Sequence, residues 1–179
     1  MNAQTIRRFF LCLCCLLLAL MPLTAMAAAQ EPAAQEPVDV IDLLQKNTKL
    51  DLTPYKGKTI LLNFFTQWCG YCMEEMPDIK AAYDAYSEDD LQIILVHVWD
   101  GEDERNTADV RKTFGMEDMT FFEDEDGSLT DYVGLSGYPA SLFISKDGTL
   151  SAAFNYMLTK EMLEEQLSAM DVSKKAVAP

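Results

Sequence analysis

Two cysteines, Cys69 and Cys72, lie two residues apart within the stretch TQWCGYCMEEMP. The apolar run TILLNFF precedes this stretch, and residues that favour a helix follow it. A Cys-x-x-Cys pair that opens a helix is typical of dithiol–disulfide exchange, because the helix N-terminus stabilises a thiolate. The spacing also lets the second thiol attack a mixed disulfide on the first. We therefore predict that Cys69 is the exposed nucleophile and Cys72 the shielded, resolving thiol.

A zinc clip and an inert structural disulfide are the alternative roles for these two thiols. A structural zinc site needs four ligands, and beyond residue 27 the only cysteines and histidines are Cys69, Cys72 and His97. A disulfide that closes so short a loop adds little stability. The pattern therefore favours a redox pair without a metal, and we expect His97 to be a histidine of the core.

The first 27 residues have the pattern of a signal peptide. A basic start precedes a leucine-rich run at 9–20, and Ala-Met-Ala at 25–27 fits a cleavage site. An uncleaved membrane anchor is the alternative, since the apolar run continues weakly to Ala29. Cleavage removes three of the five cysteines, Cys12, Cys14 and Cys15. We therefore predict an exported protein that keeps one cysteine pair and is no disulfide-rich scaffold.

The composition predicts one globular domain with a strongly acidic surface. The chain has 179 residues, of which 49% are apolar, and its net charge is −15. Loss of residues 1–27 removes Arg7 and Arg8 and no acidic residue, which takes the net charge to −17. This sign excludes binding to nucleic acid and disfavours attraction to anionic membranes. Contact with a membrane is therefore expected only through the N-terminal segment.

The remaining sequence divides into a linker, a folded domain and a short tail. Residues 28–37 repeat Gln-Glu-Pro and predict a flexible linker. A domain is predicted over 38–173, and a C-terminal tail over 174–179. Within the domain, apolar runs and turn residues predict a strand at 59–65, a helix at 73–86, a strand at 91–99, a helix ending near Gly115, a strand at 119–124, a hairpin of 142–145 and 150–156, and a helix at 160–170.

This order of elements predicts an α/β fold with a central mixed β-sheet flanked by helices on both faces. Functional sites of such folds lie where the C-terminal ends of strands meet the N-terminal ends of helices. Cys69 and Cys72 lie at such a junction. A second acidic stretch, EDEDG at 123–127, fails the pattern of a calcium loop and is predicted to be a solvated turn.

The stretch KGKTILLNFFTQWCGYCMEEMP resembles thioredoxin-like proteins of the TlpA/ResA type, which are exported thiol–disulfide oxidoreductases. The resemblance continues through FFEDEDGSLTDYVGLSGYPASLFISKDGTL and covers about residues 50–170. It implies a thioredoxin-like fold over most of the mature chain. It also implies that the protein needs no cofactor beyond the redox-active disulfide of Cys69 and Cys72.

The resemblance also implies roles for individual residues. Pro139 resembles the cis-proline that faces the cysteines and presents its backbone to a substrate. Trp68, which flanks the cysteines, and Tyr138, beside that proline, are expected to contact the substrate. Glu75 resembles a half-buried glutamate whose pKa is raised and which moves a proton for Cys72. The alternative for Glu75 is a solvated acid in the first turn of a helix.

Two positions depart from thioredoxin, and they bear on the direction of electron flow. Asn63 stands where thioredoxins have a buried aspartate, so that relay is absent and Glu75 gains importance. Gly70 and Tyr71 between the cysteines resemble the disulfide isomerase DsbC, which leaves an oxidant or isomerase as an alternative. The acidic residues after Cys72 oppose a thiolate, however, and a strong oxidant depends on a stabilised thiolate. We therefore predict a reductase.

The resemblance suggests partners and a location. Protein thiols and disulfides are the expected substrates, with apocytochrome c and methionine sulfoxide reductase as examples, and a membrane electron donor would re-reduce the protein. We expect a monomer in the periplasm or at the extracytoplasmic face of a bacterial membrane. A Sco-like copper carrier that binds through the two cysteines and His97 remains an alternative, although such proteins have three residues between their cysteines.

Overall fold

The computed structural model describes residues 38–99, 101 and 107–176. The predicted signal peptide at 1–27 and linker at 28–37 lie outside the described residues, so both stay predictions. Within the described part of the chain, no helix is long and apolar enough to span a bilayer.

Five strands form one mixed sheet in the order β3–β2–β1–β4–β5. β1 runs parallel to β2, which runs parallel to β3, whereas β4 is antiparallel to both β1 and β5. All residues of β1 are buried, as expected for a strand that is covered on both faces. This confirms the predicted mixed sheet. The strands are β1 (Thr59–Phe65), β2 (Leu91–Val98), β3 (Thr120–Asp124), β4 (Ala140–Ile144) and β5 (Leu150–Phe154).

Helices cover both faces of the sheet, as predicted. Successive residues of a strand point to opposite faces, so Leu61 and Leu62 of β1 belong to two different clusters of buried side chains. The Leu61 cluster includes side chains of α2, α3 and α5, and the Leu62 cluster includes side chains of α1 and α4. The helices are α1 (Val40–Asn47), α2 (Gly70–Ala85), α3 (Thr107–Phe114), α4 (Ser128–Val133) and α5 (Lys160–Ala169), with a 3-10 turn at Thr53–Tyr55.

The two short helices α1 and α4 were not predicted from the sequence. The EDEDG stretch contains an exposed turn at Glu125 and Asp126, as predicted, but Asp124 departs from the prediction. Asp124 is buried rather than solvated. Its carboxylate accepts hydrogen bonds from the backbone N–H groups of Leu129 and Thr130 and from the Thr130 hydroxyl. The first N–H groups of a helix have no partner within the helix, and Asp124 satisfies two of them.

The C-terminal end of the described chain packs beside α2. Lys174 forms an antiparallel bridge with Tyr86, and the Lys175 N–H donates a hydrogen bond of 2.8 Å to the carbonyl of Ala85. Ordered contacts therefore reach two residues into the segment 174–179, which was predicted to be a tail.

Candidate active site

The cysteines lie at the junction of β1 and α2. The helix begins at Gly70, three residues earlier than predicted, and Cys69 is its N-cap residue. The Cys72 N–H donates a hydrogen bond of 3.1 Å to the Sγ atom of Cys69. The two sulfur atoms form a disulfide, with 5.2 Å between the Cα atoms. The sequence Cys-x-x-Cys thus places the first sulfur at the N–H groups that open the helix.

The exposure of the two cysteines follows the predicted order but not the predicted extent. Cys69 is 5% exposed and Cys72 is fully buried in the disulfide form. The prediction of an exposed Cys69 was therefore wrong in degree, because both cysteines pack into the cluster of side chains that α2 shares with β1. Two neighbouring aromatic side chains are exposed instead: Trp68 is 55% exposed and Tyr71 is 66% exposed.

The loop before β4 brings the predicted proline to the same end of the sheet. The peptide bond between Tyr138 and Pro139 is cis, as the resemblance implied. Ala140, the next residue, pairs with Phe64 near the end of β1. The rings of Trp68 and Tyr138 contact each other edge to face, with 6.5 Å between their centroids. The structure thus brings together the residues that were predicted to contact a substrate.

Glu75 lies one helical turn after Cys72 and is almost completely buried, with 1% of its surface exposed. Its Oε1 atom accepts a hydrogen bond of 2.7 Å from Nδ2 of Asn63, and Oε2 accepts one of 2.8 Å from the Leu158 N–H. Burial raises the pKa of Glu75 from 4.5 to about 7, while these two donors act against the shift. The solvated alternative for Glu75 is therefore wrong, and the residue is more deeply buried than the half-buried acid that the resemblance implied.

Two partners of Glu75 were missed by sequence reasoning. Asn63 was interpreted only as the loss of a carboxylate, although it contacts Glu75 directly. Its position within the otherwise apolar stretch 60–65 was the available signal, because a buried polar side chain needs a partner. Leu158 contributes a backbone N–H from a segment far away in the sequence. No residue type in the sequence indicates a contact of this kind.

His97 belongs to a separate group of polar contacts on β2 and β3. Its Nδ1 atom lies 2.6 Å from Oε2 of Glu123, and the Thr107 hydroxyl donates a hydrogen bond of 2.6 Å to Oε1 of the same carboxylate. The imidazole ring is buried and lies 5.3 Å from the ring of Phe65. Within the described residues, no group of three or more His, Cys, Asp or Glu is placed to hold a metal ion. These contacts favour a histidine that stabilises the core.

Comparisons with known proteins identify relatives of this chain. A model of the AhpC/TSA family matches residues 32–153. The thiol–disulfide oxidoreductase ResA of Bacillus thuringiensis subsp. konkukian (strain 97-27) is 34% identical over 121 residues, which cover 66% of this chain and 67% of that protein. The sporulation thiol–disulfide oxidoreductase A of Bacillus subtilis (strain 168) is 27% identical over 141 residues, which cover 77% of this chain and 84% of that protein.

A solved structure agrees with the fold. The crystal structure of the exposed lipoprotein thioredoxin Etrx1 from Streptococcus pneumoniae strain TIGR4 gives a TM-score of 0.55 at 26% identity, over 66% of this chain and 89% of that chain. This confirms the thioredoxin-like fold, and the family match includes both cysteines and Pro139. The chain therefore belongs to the AhpC/TSA family and is a ResA-like, thioredoxin-fold thiol–disulfide oxidoreductase.

Proposed function

We propose that this oxidoreductase reduces disulfide bonds of proteins outside the cytoplasm. The observation that carries the proposal is the Cys69–Cys72 pair at the start of α2, with the buried Glu75 one turn behind it. This arrangement provides a nucleophilic thiol, a resolving thiol and a group that exchanges a proton near neutral pH.

In the first step, the Cys69 thiolate attacks one sulfur of a substrate disulfide. The substrate S–S bond breaks, its other sulfur leaves as a thiolate and takes a proton, and a mixed disulfide forms on Cys69. The Cys72 N–H, which points at the Cys69 sulfur, is the donor that stabilises negative charge on that atom before the attack.

In the second step, Cys72 gives its proton to the carboxylate of Glu75 and attacks the sulfur of Cys69. The mixed disulfide breaks, the second substrate sulfur leaves as a thiolate, and it receives the proton that Glu75 accepted. The substrate has then gained two electrons and two protons, and the enzyme holds the Cys69–Cys72 disulfide. A pKa of about 7 suits Glu75 to both halves of this transfer at neutral pH.

The charges beside the cysteines support reduction rather than oxidation. The sequence from 59 to 79 contains Glu74, Glu75 and Asp78 but neither lysine nor arginine. Negative charges disfavour a thiolate on Cys69, whereas a strong oxidant depends on a stabilised thiolate. The Gly-Tyr dipeptide between the cysteines favours an isomerase or oxidant, as does the helix N-terminus beside Cys69.

The exposed ring of Trp68 and the half-buried ring of Tyr138 support contact with a polypeptide substrate. We assign Trp68, Tyr138 and Pro139 to this contact, because the rings of Trp68 and Tyr138 contact each other and Pro139 follows Tyr138 in the chain. An extended segment of substrate would lie beside the backbone at Pro139, with its disulfide over Cys69.

The N-terminal segment supports the proposed location, and the resemblance to TlpA/ResA-type proteins suggests the partners. Residues 1–27 support export, with the mature protein free in the periplasm or anchored at the extracytoplasmic face of a bacterial membrane, and the pneumococcal neighbour is itself named an exposed lipoprotein. A membrane dithiol donor returns two electrons to Cys69 and Cys72, and no further cofactor takes part. Substrates are secreted thiol proteins such as apocytochrome c or a methionine sulfoxide reductase, and the protein acts as a monomer.

Reduction of insulin in the presence of dithiothreitol tests this function. The wild-type protein is expected to accelerate insulin reduction, and Cys69→Ser is expected to abolish the acceleration. Wild-type protein that acts no faster than Cys69→Ser would refute the proposal. Cys72→Ser, which cannot resolve the mixed disulfide, is expected to remain linked to its substrate and so to allow its identification.

A further inference from the structure

Two carboxylates of α2 bind the segment that leads into α5. Oε2 of Glu75 accepts a hydrogen bond of 2.8 Å from the Leu158 N–H, and Oδ2 of Asp78 accepts one of 3.0 Å from the Lys160 N–H. Glu75 and Asp78 are three residues apart, so they share one face of α2. The two N–H groups that they bind are two residues apart, on either side of Thr159, the N-cap of α5.

The bond to Asp78 fixes where α5 begins. Lys160 is the first residue of α5, and the first N–H groups of a helix lack partners within it. The Thr159 hydroxyl accepts the hydrogen bond of the Met162 N–H, so the N–H of Lys160 depends on Asp78. A negative charge is also favourable at this end of a helix. With the start of α5 held on α2, the Leu158 N–H stays within reach of Glu75.

The charge of Asp78 acts on Glu75 as well. The pKa of Glu75 is raised first by burial and further by the Asp78 carboxylate, and it is lowered by the donors on Asn63 and Leu158. The neutral side chain of Asn63 on β1 contacts this carboxyl directly, and Ser141 on β4 lies behind it. Cys72 precedes Glu75 by one turn of α2. The titratable groups that line the groove between α2 and α5 are Asp78, Tyr86, Lys160 and Glu164.

We propose that Asp78 is a positioning residue for Glu75, because its carboxylate fixes the segment from Leu158 to Lys160 and places a negative charge on the same face of α2. The inference rests on the proposed proton transfer between Cys72 and Glu75. Asp78 has two opposing effects on Glu75. Its charge favours the protonated form of the buried carboxyl, whereas its hydrogen bond keeps the Leu158 donor that favours the ionised form.

Two substitutions separate these effects. Asp78→Asn keeps an oxygen that accepts from the Lys160 N–H but removes the charge, and Asp78→Ala removes both. The measured quantity is the midpoint of Glu75 protonation, followed by carboxyl ¹³C NMR of the oxidised protein, in which the two cysteines do not titrate. Asp78→Asn is expected to lower the midpoint by about half a pH unit. Asp78→Ala is expected to give a midpoint above that of Asp78→Asn, because it also loosens the Leu158 donor.

A matched control removes the same charge from the same helix. Asp84 is an exposed residue of α2 that pairs with Lys80, and it lies about 14 Å along the helix from Glu75. Asp84→Asn is expected to leave the midpoint unchanged, and Asp78→Glu, which keeps both charge and acceptor, is expected to stay near the wild-type value. These results together support the proposal.

Two outcomes overturn the proposal. One is a midpoint in Asp78→Asn that equals the wild-type value or that of Asp84→Asn, which shows that the charge does not act on Glu75. The other is an equal midpoint in Asp78→Asn and Asp78→Ala, which shows that the segment is not held by this bond. The oxidised protein reports these midpoints whether or not it reduces insulin, so failure of the proposed function is recognised separately.

Discussion

The side-chain amide of Asn63 donates a hydrogen bond of 2.7 Å to Oε1 of Glu75 and so joins the central strand to the helix that carries the cysteines. The same nitrogen lies 3.0 Å from the Ser141 hydroxyl oxygen, and Oδ1 of Asn63 has no hydrogen-bond partner among the described residues. The buried acid is thus held by neutral donors. A neutral donor serves both the ionised and the protonated carboxyl, so Glu75 can change protonation without losing its contacts.

Removal of the Asn63 donor is expected to raise the pKa of Glu75 above its wild-type value of about 7. The hydrogen bond favours the ionised carboxylate and so limits the rise in pKa that burial causes. Asn63→Ala removes this limit. Carboxyl ¹³C NMR of the oxidised protein measures the change. Ser141→Ala, which leaves the Asn63–Glu75 bond in place, is the control. An unchanged midpoint in Asn63→Ala would contradict the expectation.

The buried Glu75 is expected to make the folded protein less stable as the pH rises. Its pKa of about 7 in the folded state lies above the ordinary value of 4.5, so in this range the folded state holds a proton that the unfolded state has released. The stabilising contribution is fully present below about pH 4.5, and the free energy of unfolding falls by on the order of 3 kcal/mol as the pH rises through about 7.

Glu75→Gln removes this ionisation and tests the expected pH dependence. In urea unfolding, the variant is expected to lose the fall in the free energy of unfolding that wild type shows between about pH 5 and pH 8, because it has no proton to lose. Glu74→Gln removes an exposed acid of the same helix turn and is expected to follow the wild-type curve. A wild-type pH slope that survives in Glu75→Gln would show that another group causes it.

The contact between Trp68 and Tyr138 predicts a defect that is confined to large substrates. Trp68→Ala removes an exposed ring that flanks Cys69, so KM for a protein disulfide is expected to rise by on the order of tenfold. The rate with a small disulfide should change little, because that molecule reaches the sulfur without the ring. Leu150→Ala, an exposed apolar residue at the far end of the sheet, is the control. Equal losses with both substrates would place the defect in the chemistry instead.

The sequence predicted those parts of the fold that depend on local pattern. The apolar run at 59–65 matches β1 residue for residue, and Thr159 caps α5 as its residue type suggests. The helices α1 and α4 were not predicted. The start of α4 depends on Asp124, whose carboxylate reaches forward to the N–H groups of Leu129 and Thr130. Such a cap is recognised only when the turn between its partners is known.

The candidate site was predictable in its chemistry but not in its connections. The spacing of Cys69 and Cys72 indicated the redox pair, and the resemblance to TlpA/ResA-type proteins indicated Glu75. The carboxyl of Glu75 is held by a backbone N–H 83 residues away, on Leu158. Every residue except proline carries such a donor, so only the packing of α5 on α2 determines which one is used.

The reduction potential of the Cys69–Cys72 pair decides the direction of electron flow. The N-terminal end of α2 favours a thiolate, while Glu74 and Asp78 oppose it in a stretch without lysine or arginine. We therefore expect a reduction potential of about −250 mV, close to that of thioredoxin. A value of about −130 mV, typical of strong oxidants, would contradict the proposal that the protein is a reductase. Equilibration with glutathione measures it.

A change of charge beside the dithiol tests the physical reason for this potential. Glu74→Lys replaces an exposed negative charge in the second turn of α2 by a positive one, which stabilises the reduced thiolate form. The potential is expected to become less negative by on the order of 30 mV, the shift that corresponds to a tenfold change in the equilibrium constant of a two-electron couple. Asp84→Lys makes the same change of charge about 18 Å along the helix from Cys72 and is expected to have little effect. If the two variants shift the potential equally, the net charge of the protein rather than the local charge sets the potential. The acids beside Cys72 would then be no argument for a reductase.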